Sequence, residues 1–302
     1  MDTVPSISVV IPAYNRSHCI QRAVDSVLSQ RRPAFELVVV DDGSSDDLSG
    51  ALAPQAARIR IIRHAENLGA AAARNTGIDE ARGEFVAFLD SDDSWKPEKL
   101  QRQIEFMQHR GLDLCCTGFD LVEPGQIALQ PAWRPYPEIM HVNQFVWGCY
   151  TCPGSTFIAR RSLLRSCGGY DTRFARLEDW DLMLRLCEAS PKGIGFLTES
   201  LSTIYVGPKP QTDNVLSSLD RMLQTHLKPL SDKDRRLSRN LRSAVAFHRA
   251  SVYAVARNWT ATTNELARCF FLAPRGNWPL RVILGAKVHS KLGLSFSTRH
   301  TV

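Results

Sequence analysis

Four short apolar runs recur in the first ninety residues, and each ends in a polar turn. They are Ile7-Ser8-Val9-Val10-Ile11, Phe35-Glu36-Leu37-Val38-Val39-Val40, Ile59-Arg60-Ile61-Ile62 and Phe85-Val86-Ala87-Phe88-Leu89. Runs of this length, rich in apolar and β-branched residues and bounded by turn residues, predict buried strands. Between the first two, Ile20, Ala23, Val24, Val27 and Leu28 repeat at i, i+3, i+4, i+7 and i+8. That spacing predicts an amphipathic helix packed on a sheet, with Ser17 placed to cap it. Before the fourth run, Asn67-Leu68-Gly69 opens a second helix from about Ala70 to Ala81, whose alanines let it lie close to the sheet. Strands alternating with helices predict a parallel sheet with right-handed crossovers, an α/β fold.

Beyond Asp93 the pattern loosens. Leu100, Ile104 and Met107 mark a helix, and Asp113 to Phe119 reads as a strand. Residues 123–153 are proline-rich with little periodicity and read as a long surface loop. Gly154 to Ala159 resumes a strand. Leu163 and Leu164 begin a short helix that Gly168-Gly169 terminates. Leu182, Leu186 and Ala189 give the next helix its apolar face. Toward the C-terminus, Leu241, Ala244, Val245, His248, Val252 and Val255 have helical spacing. Thr262 to Leu272 forms another helix, stopped by Pro274. A third starts near Pro279, with Leu280, Leu284 and Val288 on one stripe and Lys287 and Lys291 beside it. The chain therefore divides into an α/β domain over residues 1–215 and a helical extension over residues 216–302.

Charge follows that division. Residues 1–215 carry 22 Lys and Arg against 27 Asp and Glu, whereas residues 216–302 carry 15 against 4. A basic segment on an acidic body points to an anionic partner, membrane or nucleic acid. Nucleic acid is the weaker reading, because interleaved aromatics and any known module are missing. A membrane surface met by snorkelling lysines stands beside a helical cap with a solvated basic face. No run approaches the 18 apolar residues of a membrane span, and the N-terminus lacks the basic and apolar regions of a signal peptide. The eight cysteines form no disulfide framework, and Cys149 and Cys152 make only a lone CxxC. A reducing cytoplasm is the expected setting.

Candidate chemistry crowds the carboxyl ends of the strands, where open α/β sheets bind their ligands. Pro12-Ala13-Tyr14-Asn15 follows the first strand and Asp41-Asp42-Gly43-Ser44-Ser45-Asp46 the second. A carboxylate there can accept hydrogen bonds from a base or ribose. The same stretch also reads as a turn, with Gly43 at positive φ and Ser45 or Asp46 capping a helix. The fourth strand runs into Asp90-Ser91-Asp92-Asp93, three carboxylates in four positions. Carboxylates this close repel one another, and a hard divalent cation bridging to a diphosphate relieves that repulsion. The competing reading is a polar turn in which Asp93 or Ser94 caps a helix starting near Pro97. Glu178-Asp179-Trp180-Asp181 opens a later helix. Its acids favour the macrodipole, or one of them serves as a general base.

Taken together, Val9-Val10-Ile11-Pro12-Ala13-Tyr14-Asn15, Val40-Asp41-Asp42-Gly43-Ser44, Asn67-Leu68-Gly69 with Ala73-Arg74-Asn75, Leu89-Asp90-Ser91-Asp92-Asp93 and Glu178-Asp179-Trp180 resemble the family 2 glycosyltransferases in order and spacing. The resemblance covers roughly residues 5–205. It implies a GT-A fold, a Rossmann-like mixed sheet flanked by helices, with residues 216–302 as a helical extension. It also implies inverting transfer of a sugar from a nucleoside diphosphate donor to an acceptor hydroxyl, with Mg²⁺ or Mn²⁺ as cofactor. By this resemblance Pro12, Ala13, Tyr14, Asn15, Asp41, Gly69, Arg74, Asp90 and Ser91 bind the nucleotide sugar. Asp92 and Asp90 hold the metal, Asp179 is the base, and Glu178 positions it or meets the sugar. Asp41 leans toward a uracil or thymine, hence UDP or dTDP. The acceptor is a glycan or lipid-linked glycan, and the setting is surface polysaccharide or glycolipid assembly at the inner face of the plasma membrane. One departure stands out: many members carry an Arg and a His shortly after a Tyr here, whereas Tyr205 precedes Val206-Gly207-Pro208-Lys209, with no His until His226. Lys209 is the candidate substitute as a point charge. The rival functions are a metal-dependent nucleotidyltransferase and a non-catalytic nucleotide-sugar binding homologue.

Overall fold

Continuously buried central strands build one sheet that is covered on both faces. The computed structural model describes residues 5–122, 137–149, 151, 153–205 and 212–274. Its elements run β1 (Ile7–Ala13), α1 (Ile20–Leu28), β2 (Glu36–Asp41), α2 (Leu48–Leu52), a 3₁₀ turn at Ala53–Arg58, β3 (Arg60–Arg63), α3 (Ala70–Glu80), β4 (Phe85–Phe88) and β5 (Ser94–Trp95). They continue with α4 (Lys99–Arg110), β6 (Leu114–Val122), β7 (Ile139–Met140), α5 (Val142–Phe145), α6 (Pro153–Thr156), β8 (Ile158–Arg160), α7 (Arg161–Ser166), α8 (Glu178–Ala189) and β9 (Ile194–Tyr205). Three longer helices follow: α9 (Thr212–Lys233), α10 (Arg235–Val255) and α11 (Trp259–Leu272). These elements fall into two compact units. One comprises residues up to 142 with 149–173 and 178–208; the other comprises 143–148, 174–177 and 209 onward.

The sheet belongs to the first unit. Its order is β3-β2-β1-β4-β8-β6-β9-β5, with β7 also on β9. The strands β3, β2, β1 and β4 pair in parallel, as their alternation with helices requires. Beyond β4 the sheet turns mixed, because β8 runs antiparallel to both β4 and β6 while β9 is parallel to β6. Ile7, Val9, Ile11, Leu37, Val39, Phe85 and Ala87 pack with Ile20, Ala23, Val24, Val27, Leu100, Ile104 and Met107 of α1 and α4. Each Val, Leu, Ile, Phe or Met side chain among them, fully buried, stabilises by about 1.5–3 kcal/mol over exposure. On the other face α3 comes very close to β1. A Cβ at Gly77 would stand 2.2 Å from Cγ1 of Val10.

Pro12 sits in a central strand, where a proline normally removes a ladder bond. The last β1–β4 pair is Val10 with Phe88, and Asp42 N–H bonds to Ala13 C=O at 2.8 Å on the β2 side. Alternation then turns the Pro12 nitrogen toward β4 beyond its end, where no ladder bond is lost.

Several local expectations need correction. Ser17 does not cap α1; Cys19 holds that position without a side-chain bond, and Ser17 N–H donates to Asp46 at 2.8 Å. The cap of α2 is Asp47 rather than Ser45 or Asp46, because Asp46 is engaged by Ser17. Neither Asp93 nor Ser94 caps α4, whose N-cap is Glu98; Ser94-Trp95 instead pairs with β9. The stretch read as a loop over residues 123–153 contains β7 and α5 among its described residues. The stretch read as a strand from Gly154 begins as α6. The expected helix near Pro279, with Lys287 and Lys291, lies outside the described residues, as do Cys152 and Lys209. The described cysteines are free thiols.

Two outcomes test this packing. Gly77→Ala should destabilise by about 1–3 kcal/mol through overpacking. The double variant with Val10→Ala should be more stable than the two single losses summed, as denaturant titration will read. The second test concerns Lys99, whose Nζ donates to Gln103 at 2.6 Å and lies 4.2 Å from the Trp95 ring centre. Burial brings its pKa down to about 7. Between about pH 7 and 10 the native state sheds this proton while the unfolded chain keeps it, so stability rises with pH across that window. Denaturant titrations at several pH values should show that rise in the wild type and a flatter dependence in Lys99→Met.

Candidate active site

The carboxyl ends of β1, β2 and β4 bring the strand-end motifs together, and their own side chains fix the loops. After β1, Asn15 adopts a left-handed backbone with φ of 53°. Its Oδ1 accepts from Ser45 N–H at 2.8 Å and Ser45 O–H at 3.1 Å, and its own N–H donates to Ser44 Oγ at 3.0 Å. Asn15 thus ties the first loop to the second. Pro12 and Ala13 are buried in β1, whereas Tyr14 is 44% exposed beside them.

Asp41 and Asp42 divide their work. Asp41 is fully buried, and one oxygen accepts from Ser44 N–H at 2.9 Å. Its Oδ2 is 3.1 Å from Arg63 Nη1 yet outside hydrogen-bond geometry, so this buried oxygen keeps acceptor capacity. Asp42, which the motif reading passed over, accepts from Leu68 N–H at 2.9 Å and Gly69 N–H at 2.8 Å. His64 Nδ1 lies 2.7 Å from the same carboxylate, and its Nε2 lies 2.9 Å from Thr76 Oγ1. These bonds hold the entrance to α3, where Gly69 has φ of +92°.

From α3, Arg74 reaches into the site and is 5% exposed. One guanidinium nitrogen donates to Asp90 Oδ1 at 2.8 Å and the other to Glu178 Oε1 at 3.0 Å. The Tyr170 ring centre is 5.2 Å from the guanidinium. Burial by itself would lower the Arg74 pKa; Asp90, Asp179, Tyr170 and Glu178 outweigh it and hold the group well above its ordinary value. Asp179 therefore stands within the electrostatic reach of this cluster. The neighbouring Asp181 does not join them. It is fully buried and paired with Arg185, which also donates to the carbonyls of Cys167 and Gly169 at 2.7 Å. The acidic start of α8 thus splits into two acids that act on Arg74, Glu178 and Asp179, and one, Asp181, that pairs within the fold.

The loop after β4 is clamped from below. Ser155 Oγ accepts from Asp90 N–H at 3.0 Å and donates to Asp93. Asp93 also accepts from Tyr205 N–H at 3.0 Å, and the Ser155 carbonyl accepts from Trp95 Nε1 at 2.7 Å and Ser202 O–H at 2.8 Å. Burial and the neighbouring Asp90 push the Asp93 carboxyl well above the ordinary range. Gly154 is required here, since a Cβ would stand 2.4 Å from Asp90 Oδ2. Ser91 is buried, and its carbonyl accepts weakly from the Cys19 thiol at 3.7 Å. Asp92 stays about a third exposed, with Arg16 at 3.8 Å. Burial and Asp90 raise its pKa as well. Arg22 donates to the Asp92 carbonyl and stacks 3.6 Å from the centre of the Tyr205 ring.

The donor set suits a hard cation. Asp90 and Asp92 offer oxygen ligands; Arg74 pairs with one oxygen of Asp90 at 2.8 Å, and among the described residues only the long contact to Arg16 at 3.8 Å pairs with Asp92. Among the described residues no three His, Cys, Asp or Glu side chains form a ready-made metal cage. Two carboxylates are a number with which a divalent cation is commonly held beside substrate phosphates. Motif reading missed Asp42, His64, Arg16, Arg22, Asp93 and Ser155 as site supports. The twinned Asp41-Asp42 was a usable signal for the first; nothing local marks Ser155.

Residues 8–168, more than half of the chain, match the family described as Glycosyl transferase family 2, and the chain belongs to that family. The putative teichuronic acid biosynthesis glycosyltransferase TuaG of Bacillus subtilis is 43% identical over 121 residues, which make up 39% of this chain and 48% of TuaG. The chain spans about half or less of the length of the curated relatives it matches first. Two solved structures share the GT-A fold. S. aureus TarS 1-349 in complex with UDP-GlcNAc has a TM-score of 0.63 at 17% identity, over 97% of this chain and 93% of that one. The mannosyltransferase PcManGT of Pyrobaculum calidifontis, in complex with GDP-Man and Mn²⁺, has a TM-score of 0.55 at 18% identity, over 96% and 83%.

The clamp on the β4 loop has a measurable consequence. Ser155→Ala leaves Asp90 N–H and an Asp93 oxygen without their buried partner, at about 1–3 kcal/mol for each orphaned group. Denaturant unfolding should show that loss. Thermal denaturation by circular dichroism should show Ser155→Thr, which restores the hydroxyl, recovering part of it.

Proposed function

We propose that this family 2 member transfers a sugar, with inversion, from a nucleoside diphosphate sugar to an acceptor hydroxyl, and that it depends on Mg²⁺ or Mn²⁺. The observation that carries this reading is the shared guanidinium of Arg74. It joins Asp90, on the metal side, to Glu178, beside the base Asp179. Donor-side and acceptor-side acids are thereby held in one constellation, as a single-displacement reaction requires.

Each residue has a distinct task. Tyr14 offers an exposed ring for a base to stack on, with Pro12 and Ala13 as the floor. The open acceptor on Asp41 suits the N3–H of a uracil and favours a UDP donor; the UDP-GlcNAc complex of TarS supports the same choice. Gly69 and the α3 entrance border the donor, and Ser91 lies beside Asp90. Asp92 and Asp90 would hold the cation, whose charge supplies electrostatic stabilisation to the departing diphosphate. The Mn²⁺ complex of PcManGT supports a divalent ion. Asp179 takes the proton of the acceptor hydroxyl as it attacks, and Glu178 is oriented by Arg74. The nucleotidyltransferase alternative gives the Glu178-Asp179 pair no task. The name of TuaG, a putative teichuronic acid biosynthesis glycosyltransferase, supports a setting in polysaccharide assembly; the acceptor we assign is a glycan or lipid-linked glycan, met at the inner face of the plasma membrane.

A thermal-shift panel of UDP-, dTDP-, GDP- and CMP-sugars with and without Mn²⁺ tests the donor reading. A Mn²⁺-dependent shift with UDP-sugars is expected, near 2.7 kcal/mol at about 100 times Kd. Asp92→Ala should abolish it. Asp179→Asn should keep the shift and lose about 10²–10⁴-fold in turnover. Full turnover in Asp179→Asn would overturn the assigned base, and no shift with any donor would overturn the nucleotide reading.

A further inference from the structure

The second unit carries a charged surface that the proposed chemistry does not use. Along the first two turns of α10, Arg235, Arg236, Arg239 and Arg242 are all exposed. Three of them, at i, i+4 and i+7, share one stripe of the helix. None of the four makes an ion pair among the described residues. The nearby acid Asp234 is engaged as the N-cap, accepting from Arg236 N–H at 2.7 Å. Farther along, Arg249 differs: it pairs with Asp220 and Glu265. The stripe therefore changes from compensated to uncompensated charge toward the start of α10.

A second observation sits at the same end. Ser243 Oγ donates to the Cys269 carbonyl at 2.7 Å, so the last turn of α11 lies beside the Arg242 turn of α10. That last turn carries Phe270 and Phe271, and Phe271 is 88% exposed, the most exposed large apolar side chain described. The chain continues from this point into residues 275–302, which hold five Lys and Arg and no Asp or Glu.

We propose that Arg235, Arg236, Arg239 and Arg242 with Phe270 and Phe271 form a docking surface for an anionic phospholipid bilayer. Guanidinium groups match phosphate oxygens in bidentate geometry. Exposed arginines on α10 without ion pairs among the described residues, with the exposed Phe271 on the adjoining turn of α11, suit an interface with a charged outer layer and an apolar interior. A soluble polyanion would use the arginines and leave Phe271 in water without a task. The surface gives the membrane part of the proposed function a location, and it does not depend on the assigned donor or base.

Flotation of the full chain with phosphatidylcholine vesicles, and with vesicles also containing phosphatidylglycerol, tests this surface. Binding only to the anionic vesicles is expected, falling as salt rises. Replacing the four arginines by Gln should weaken it by at least ~10-fold. Phe271→Ser should weaken it by about 5-fold or more and leave the residual binding fully removable by salt. Circular dichroism and the UDP-sugar thermal shift serve as controls for the fold and the donor site. Failure of the wild type to float, or unchanged flotation of the arginine variant, would overturn the proposal. So would equal binding of single-stranded DNA with no dependence on Phe271. A lost donor shift with intact flotation would strike at the nucleotide reading alone.

Discussion

The buried guanidinium of Arg74 is the interaction on which the rest of the site depends. A charge removed from water is costly unless it is paired and hydrogen-bonded. Here the partners come from β4 and α8, sixteen and 104 residues away in sequence. No one of these acids can be moved without leaving a buried charge unmatched. The cluster therefore fixes the start of α8 against the sheet and sets where the Glu178 and Asp90 carboxyl groups stand.

Around that centre, polar side chains are spent largely on backbone N–H groups. Asn15 holds the loop after β2, Asp42 holds the entrance to α3, and Ser155 holds the loop after β4. Strand-end loops of this kind would otherwise be mobile, and a site built on them would be loose. Because the supports are committed inward, the Tyr14 ring and the carboxylate of Asp92 are left exposed, and one buried oxygen of Asp41 is left without a hydrogen bond. The division of labour in the Asp pairs follows from this. Asp42 and Asp93 are tied into the fold, and their neighbours Asp41 and Asp92 keep capacity for a ligand.

The C-terminal unit rests on different physics. Helices α10 and α11 pack through Ala246, Phe247, Ala250, Ala254 and Cys269, with Trp259 and Leu266 at the edge. Small residues let the two helices approach closely, and the charges are left to the outside. Some are neutralised by partners from neighbouring helices and some are not, and the helical spacing by itself does not distinguish them.

Strands β1, β2 and β4 were legible because a strand buried on both faces reads as a continuous apolar run, and α1 because its one buried face imposes a helical period on the sequence. The positions of Pro12, Asp41, Asp90 and Glu178 at element ends were legible for the same reason. Strand β9 was not: it mixes Thr198, Glu199, Ser200 and Ser202 into an apolar run, and its pairing bulges at Gly118. Helix α9 escaped notice too. Asp93, Ser155 and Asp181 could not be assigned from sequence, because a carboxylate near the start of a helix and a serine in a short turn look alike whether they cap, clamp or react. The sequence alone determined the α/β framework and which acids stand at strand ends, since those follow from local periodicity and spacing, and it carried the family through the resemblance of its motifs in order. The tertiary structure decided which of those acids are occupied and which are open, because a hydrogen bond between residues sixty or a hundred positions apart is set by packing and leaves no local period.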